Sequence, residues 1–323
     1  MKTEKLLEVQ NLKKHFFKKK RFLEAQADPV RAVDGISFTL YEGETLGLVG
    51  ESGCGKSTAA RTLLRLIEPT SGKLSFCGTD LLSLKETELR KLRKEMQIVF
   101  QDPYSSVNPG RRIGHILQEP FEIHGFQDKK ENAEKAAQLL EQVGLAPDYF
   151  NRYPHELSGG QLQRIAIARA IALNPKLIVA DEPVSALDVS IQAQITNLLL
   201  DMKENLGISY LFISHDLRVV EYFCDRVAVM YLGKIVEIAD SEQIYNSPQH
   251  PYTLALLNAI PRLESGHIKQ KTSLKNDISN ATNPLKGCNF QNRCPIKEKQ
   301  CEEKMPDLEE VAPGHHVACF LKH

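Results

Sequence analysis

Hydrophobic and polar positions follow two rhythms along this chain. Leu6–Leu12 and Val33–Leu40 alternate with a period of two, which predicts strands with one buried face. Thr45-Leu46-Gly47-Leu48-Val49 is a continuous apolar run and predicts a strand buried on both faces. From Thr58 to Ile67 the apolar positions recur at helical spacing. Helical spacing also dominates from Asp102 to about Ala172, most clearly over Ala133–Val143 and Leu162–Ile171, and predicts a helical insertion over 102–172. Short apolar runs return at Leu177–Ala180, Tyr210–Ile213 and Val227–Met230, with a helical pattern over Ile191–Asn205. Strands that alternate with helices predict an α/β fold with a mostly parallel sheet.

The rhythm fades beyond Ile260. Arg262–Lys286 is polar and reads as a linker or an excursion, and Gly287–His323 reads as a separate cysteine-bearing tail. The expected division is therefore 1–260 and 261–323. The basic stretch Lys13–Arg21 reads as a solvated loop, with a nucleic-acid or lipid contact as the alternative.

Charge and composition narrow the class. Lys+Arg and Asp+Glu both total 41, so there is no global basic field of the kind that binds nucleic acid. No apolar run approaches the roughly 18 residues that span a bilayer. Met1-Lys2-Thr3-Glu4-Lys5-Leu6-Leu7 meets an acid too early for a signal peptide. The expected location is the cytosol, where seven cysteines are thiols or metal ligands rather than disulfides.

Three motifs carry chemistry. Gly50-Glu51-Ser52-Gly53-Cys54-Gly55-Lys56-Ser57 follows a buried strand and opens a helix at Thr58. It fits the phosphate-binding pattern G-x-x-x-x-G-K-[ST]. Its glycines let backbone N–H groups converge on phosphate oxygens, and the helix adds its positive N-terminal end. Lys56 is expected on the β- and γ-phosphates and the Ser57 hydroxyl on Mg²⁺. Leu177-Ile178-Val179-Ala180-Asp181-Glu182 is an apolar strand ending in two acids: Asp181 is suited to Mg²⁺ and Glu182 to polarising the attacking water. Leu157-Ser158-Gly159-Gly160-Gln161 precedes a helical run, Gln161–Ala170, and presents donors as an anion-binding N-terminus.

In this order the three motifs resemble the ATPase subunit of an ATP-binding-cassette (ABC) transporter, over roughly Leu6–Ile260. The resemblance implies a P-loop nucleotide-binding domain with a helical subdomain, with ATP and Mg²⁺ as cofactors. Gln101 matches the glutamine that senses Mg²⁺ and the γ-phosphate. Asp188, in Ser185-Ala186-Leu187-Asp188, matches the loop that crosses the dimer interface. His215, after Leu211-Phe212-Ile213-Ser214, matches the switch histidine. The adenine-stacking aromatic falls near His15-Phe16-Phe17, with His15 favoured over Phe16. Ser158, Gly159, Gly160 and Gln161 are then expected to cap the ATP of an opposite subunit. A soluble ABC ATPase acting on nucleic acid or ribosomes is the alternative of a different class.

Two segments, Gln101-Asp102-Pro103-Tyr104-Ser105-Ser106-Val107-Asn108-Pro109 and Ser247-Pro248-Gln249-His250-Pro251-Tyr252-Thr253, are similar to the oligopeptide/dipeptide permease ATPases. Phe22-Leu23 and Val30-Arg31-Ala32-Val33-Asp34-Gly35 resemble their F-type subunit. This implies a peripheral protein at the cytoplasmic membrane face. Its expected partners are a second, different ATPase, two transmembrane permease subunits and an external binding protein. Nickel, metal-chelate or glutathione uptake stay open as alternatives to peptides. The tail holds Cys288, Cys294, Cys301 and Cys319 at C-x5-C-x6-C-x17-C, wider than common structural zinc pairs. Four thiolates suit a [4Fe–4S] cluster, which the resemblance also implies, while zinc or metal-free thiols remain open.

Overall fold

The computed structural model describes residues 4–17, 28–260 and 285–321. Phe22-Leu23, the basic stretch beyond Phe17 and nearly all of the polar segment Arg262–Lys286 lie outside the described residues. The chain divides into two compact units. One comprises Met1–Glu4, Tyr41–Thr45 and Ser83–Ile213, and the other Lys5–Leu40, Leu46–Leu82 and Ser214–His323.

The first unit is built on three parallel strands, Met96–Val99, Leu177–Asp181 and Ser209–Ser214, with Met96 opposite Leu177 and Leu177 opposite Ser209. Every residue of the last two strands is buried, as a parallel sheet covered on both faces requires. Five α-helices accompany them: Glu86–Leu92, Ile113–Ile123, Lys129–Gln142, Gly159–Ile171 and Val189–Leu206. Their ends are written in the sequence. Asp128 caps Lys129–Gln142 by accepting from the backbone N–H groups of Lys130 and Glu131. At the other end Gly144 N–H donates to Glu141 O and Leu145 N–H to Leu140 O, closing the last turn.

The second unit carries two kinds of sheet. One is antiparallel between Lys5–Phe16 and Ser71–Phe76, and its strand order is Val30–Tyr41, Lys5–Phe16, Ser71–Phe76, Thr79–Asp80. The other runs in the order Glu309–Ala312, His315–Val317, Lys234–Asp240, Arg226–Tyr231, Thr45–Val49, and only its last pair is parallel. Parallel pairing at Thr45–Val49 with Arg226–Tyr231 and through Met96–Val99, Leu177–Asp181 and Ser209–Ser214 is as expected for an α/β fold, and the antiparallel pairs run from Arg226–Tyr231 to Glu309–Ala312. Period-two alternation reports that one face is buried; it does not report the direction of the neighbouring strand.

Two further expectations change. Lys13–Phe16 belongs to a strand rather than a solvated loop. The tail is not set apart either. His315–Val317 pairs with Lys234–Asp240, and Ala318 N–H donates to Val236 O. The fully buried Glu237 accepts from the backbone N–H groups of Gln249 and His250, and its Oε1 lies 2.7 Å from His315 Nε2. Among the described residues no helix is long and apolar enough to cross a membrane.

Candidate functional site

In the second unit the strand Thr45–Val49 runs into the glycine-rich loop, and the helix Lys56–Leu63 leaves it. The backbone at Gly50 and Gly55 has φ of 154° and 111°. A Cβ at Gly50 would stand 2.2 Å from Met230 O, and one at Gly55 would stand 2.0 Å from Ala32 O. No side chain fits there, so the loop keeps its backbone N–H groups on a tight inward curve. Glu51 is half-buried and Ser52 and Gly53 are exposed, whereas Cys54 is buried and burial pushes its thiol up. Lys56 is 4% exposed and spans the loop, donating from Nζ to Gly50 O at 2.8 Å and Glu51 O at 3.0 Å. Ser57 and Thr58 are half-buried on the first helical turn. This cradle fits a phosphate chain: its donors converge and its one buried ammonium is already held by loop carbonyls that an anion can replace.

In the first unit Asp181 ends a strand, 3% exposed. Glu182 follows with φ +50°, in the left-handed region uncommon for such a residue. Its N–H donates to Ile213 O, and its Oε2 accepts from Gln101 Nε2 at 3.0 Å. Gln101 sits just beyond the strand Met96–Val99 and also reaches Ser185 Oγ at 3.4 Å. The structure therefore brings Gln101 to Glu182 and Ser185, which lie 81 and 84 positions further along the sequence.

Ser158 is the N-cap of Gly159–Ile171. Its Oγ accepts from Gln161 N–H at 3.3 Å, and Gln161 Oε1 accepts from Ser158 N–H at 2.9 Å. The helix starts earlier than its apolar pattern, because Gly159 and Gly160 form its first turn. A Cβ at Gly160 would meet Ile191 Cγ2 at 2.6 Å. Asp188 precedes the helix Val189–Leu206, and Val189 beside it is 79% exposed. The segment after Gln101 is tied to this region, since Tyr104 OH donates to Leu157 O and Arg169 donates to Ser106 O.

His15 Nε2 lies 3.0 Å from Asp34 Oδ1, and both are largely covered. Burial pushes the Asp34 carboxyl up, but Lys234, His15 and Arg31 outweigh it and hold it below its ordinary range. Phe16 is 41% exposed, with Lys14 Nζ 5.0 Å from its ring centre, so Phe16 presents the freer aromatic face of the two. His215 is exposed just beyond Ser214, which accepts from Asp216 N–H.

Cys288, Cys294, Cys301 and Cys319 line one small cavity with His250 and Phe290. Burial, followed by the neighbouring thiols, pushes Cys288 up to about 11, and burial raises Cys294 and Cys319 as well. Among the described residues, however, no three or more His, Cys, Asp and Glu side chains form a group that could hold a metal ion. The expected four-thiolate centre is thus present as a shared cavity and not as converged ligands. Neutral thiols pack as small apolar groups and have no reason to converge.

Sequence reasoning missed Arg293, which forms a two-pronged ion pair with Glu51 of the loop. It also missed Tyr252, whose OH accepts from Glu51 N–H at 2.9 Å. Neither lies in a phosphate motif, so no local pattern marks them.

These parts define a P-loop ATPase of the ABC class. Residues 33–185 match the ABC transporter family, and residues 236–301 match the oligopeptide/dipeptide transporter C-terminal region. The chain is 51% identical over 321 residues to the oligopeptide transport ATP-binding protein AppF of Bacillus subtilis, covering 98% of each. It is 52% identical over 315 residues to a putative peptide import ATP-binding protein of Brucella ovis, covering 98% of this chain and 97% of the relative. The dimeric ATP-binding cassette MJ0796, in a post-hydrolysis state bound to ADP and Pi, superposes with TM-score 0.65 at 29% identity. That match covers 73% of this chain and 99% of the cassette. The chain belongs to the oligopeptide/dipeptide transporter branch of the ABC ATPases.

Proposed function

We propose that this chain is an ATP-hydrolysing subunit of an importer that drives oligopeptides or dipeptides across the cytoplasmic membrane. The observation that carries it is one chain holding both a sterically closed phosphate loop at Gly50–Ser57 and the oligopeptide/dipeptide C-terminal region at 236–301. Residues 1–260 form the ATPase domain, with its helical subdomain over 102–172, and 261–323 the extension.

In this reading the loop N–H groups from Gly50 to Ser57 and Lys56 Nζ hold the phosphates, with Thr58 behind them on the helix. Ser57, Asp181 and Gln101 are the Mg²⁺ set, and the ion supplies charge neutralisation at the transferred phosphoryl group. Glu182 orients and polarises water, held by the Gln101 amide, and His215 contacts the γ-phosphate. Phe16 or His15 supports the adenine. Ser158, Gly159, Gly160 and Gln161 serve the nucleotide of a second ATPase subunit, and Asp188 meets that partner. The exposed Val189 beside Asp188 supports such an interface, since a large apolar side chain gains by being covered. The segment Asp102–Pro109 receives a permease subunit, one of two, and its hydrogen bonds through Tyr104 and Arg169 would pass that contact to the signature helix. The partner ATPase is a different chain, and an external binding protein delivers the peptide.

The four tail cysteines are read as ligands of a [4Fe–4S] cluster or of zinc, with a structural role. Their shared cavity and soft donor chemistry support this, with convergence supplied by metal binding itself.

Uptake of a labelled tripeptide by cells carrying Lys56→Ala tests the function. Peptide uptake is expected to fall to background. Normal peptide uptake, or loss confined to nickel or glutathione uptake, would overturn the peptide reading.

A further inference from the structure

Glu51 stands inside the phosphate loop, and Arg293 stands in the C-terminal extension immediately before Cys294. Arg293 closes on Glu51 as a fork: Nη1 donates to Oε2 at 2.8 Å and Nη2 to Oε1 at 2.7 Å. The Arg293 side chain is 8% exposed and that of Glu51 37%. The rings of Tyr231 and Phe290 flank the guanidinium, each centroid 5.6 Å from its carbon. The Glu51 hydrogen bonds hold Arg293 still more firmly charged than usual. The backbone of the same glutamate is also engaged, its N–H by Tyr252 OH and its carbonyl by Lys56 Nζ. Residue 51 is therefore held from three sides, and two of those holds come from beyond residue 250.

A carboxylate at the second position of a loop that takes a triphosphate is an electrostatic liability. Like charges a few ångströms apart disfavour each other, and a partly desolvated site screens them poorly. Arg293 removes that liability in two ways. It cancels the charge, and its planar fork fixes the carboxylate toward the extension rather than toward the loop N–H groups.

We propose that Arg293 is a positioning residue for ATP binding: by neutralising and pinning Glu51, it makes the C-terminal extension set the nucleotide affinity of the phosphate loop. This rests on Gly50–Ser57 being the phosphate loop, which Lys56→Ala tests separately.

The test is a cycle on the full-length chain. ATP affinity is measured with a fluorescent ATP analogue, and KM and kcat for ATP are measured in the assembled transporter. Arg293→Met is expected to raise Kd and KM about tenfold and leave kcat within about twofold. In a Glu51→Gln background the same change is expected to raise Kd and KM by less than about threefold, because no charge remains to neutralise. Glu51→Gln alone is expected to leave Kd within about twofold, because the charge to be neutralised is gone. A tether that merely folds the extension is broken by Glu51→Gln as well and predicts a loss as large as that of Arg293→Met, and that result overturns the proposal, as does a fall in kcat at unchanged KM. Should Arg293→Met fail to fold, Arg293→Lys carries the comparison, since it keeps the charge and loses the fork. Its Kd is expected to rise by less than about threefold, and a tenfold rise overturns the proposal. If Lys56→Ala leaves nucleotide affinity unchanged, the phosphate-loop reading falls with it; if Lys56→Ala weakens binding, only the Arg293 proposal is at stake.

Discussion

Gln101 Nε2 donates to Glu182 Oε2 at 3.0 Å, across 81 positions of sequence. The amide fixes one carboxylate oxygen of a residue whose backbone is already held in the left-handed region. In the proposed function, a carboxylate held in this way meets a water molecule in a defined direction.

Glu182→Gln is isosteric and removes only the basicity. Nucleotide binding is expected to persist while steady-state ATP hydrolysis falls by about 10²–10⁴-fold. Size-exclusion chromatography with ATP and Mg²⁺ should show a longer-lived ATPase dimer. Near-normal turnover would remove Glu182 from the role of base.

Ser158→Arg separates the chain's own nucleotide from its partner's. It removes a capping hydroxyl, which costs about 1 kcal/mol of helix stability, and it places a long side chain over the signature N-terminus. ATP affinity of the isolated chain is expected to stay near that of the parent, while hydrolysis in the assembled complex is blocked. An affinity loss as large as that of Lys56→Ala would contradict a signature serving a partner's site.

His250 gives the fold an acid-sensitive step. Its Nδ1 accepts from Tyr252 N–H at 3.0 Å, and burial pushes it from 6.5 down to about 4. Above pH 6.5 the imidazole is neutral both folded and unfolded, so it contributes no slope. Between about 6.5 and 4 the unfolded chain takes up a proton that the folded chain refuses, and stability falls by up to about 3 kcal/mol. Asparagine can supply the same acceptor without titrating. Urea unfolding of His250→Asn is expected to show a flatter decline across that window, and identical slopes would count against the assignment.

Anaerobic purification with iron, sulfide and zinc analysis decides the tail. Iron and sulfide in equal amounts, with visible thiolate-to-iron absorbance, are expected. Zinc without iron would make it a four-thiolate zinc site. Ready alkylation of all four cysteines in a metal-free native protein would end the metal reading.

The parts legible in the sequence were those whose logic is local. The phosphate loop, the acidic strand end and the signature each place their chemistry within a few consecutive residues, and strands such as Thr45–Val49 announce themselves as unbroken apolar runs. What could not be read was pairing over long separations. Nothing near Glu51 points to Arg293, and nothing near Glu237 points to His315, because each charge is satisfied by distant chain, 242 and 78 positions away. The antiparallel sheet escaped for the same reason: Leu7 and Val9 disclose a buried face, while their partners Phe76 and Leu74 are fixed only by register. The cysteine spacing led to one cavity and left the ligand geometry open.

The strand His315–Val317 has a consequence for how the molecule meets its own copies. It lies along Lys234–Asp240, whose backbone would otherwise offer a row of open donors and acceptors on an apolar strand, a template for aggregation. Beyond it comes only the short strand Glu309–Ala312, which opens with two adjacent exposed glutamates. Among the described residues this edge of the sheet therefore ends in negative charge and short length, both of which discourage a second molecule from adding a strand. Whatever else the C-terminal extension does, it leaves this edge of the ATPase sheet without a sticky border, so that a second molecule does not dock here by strand addition.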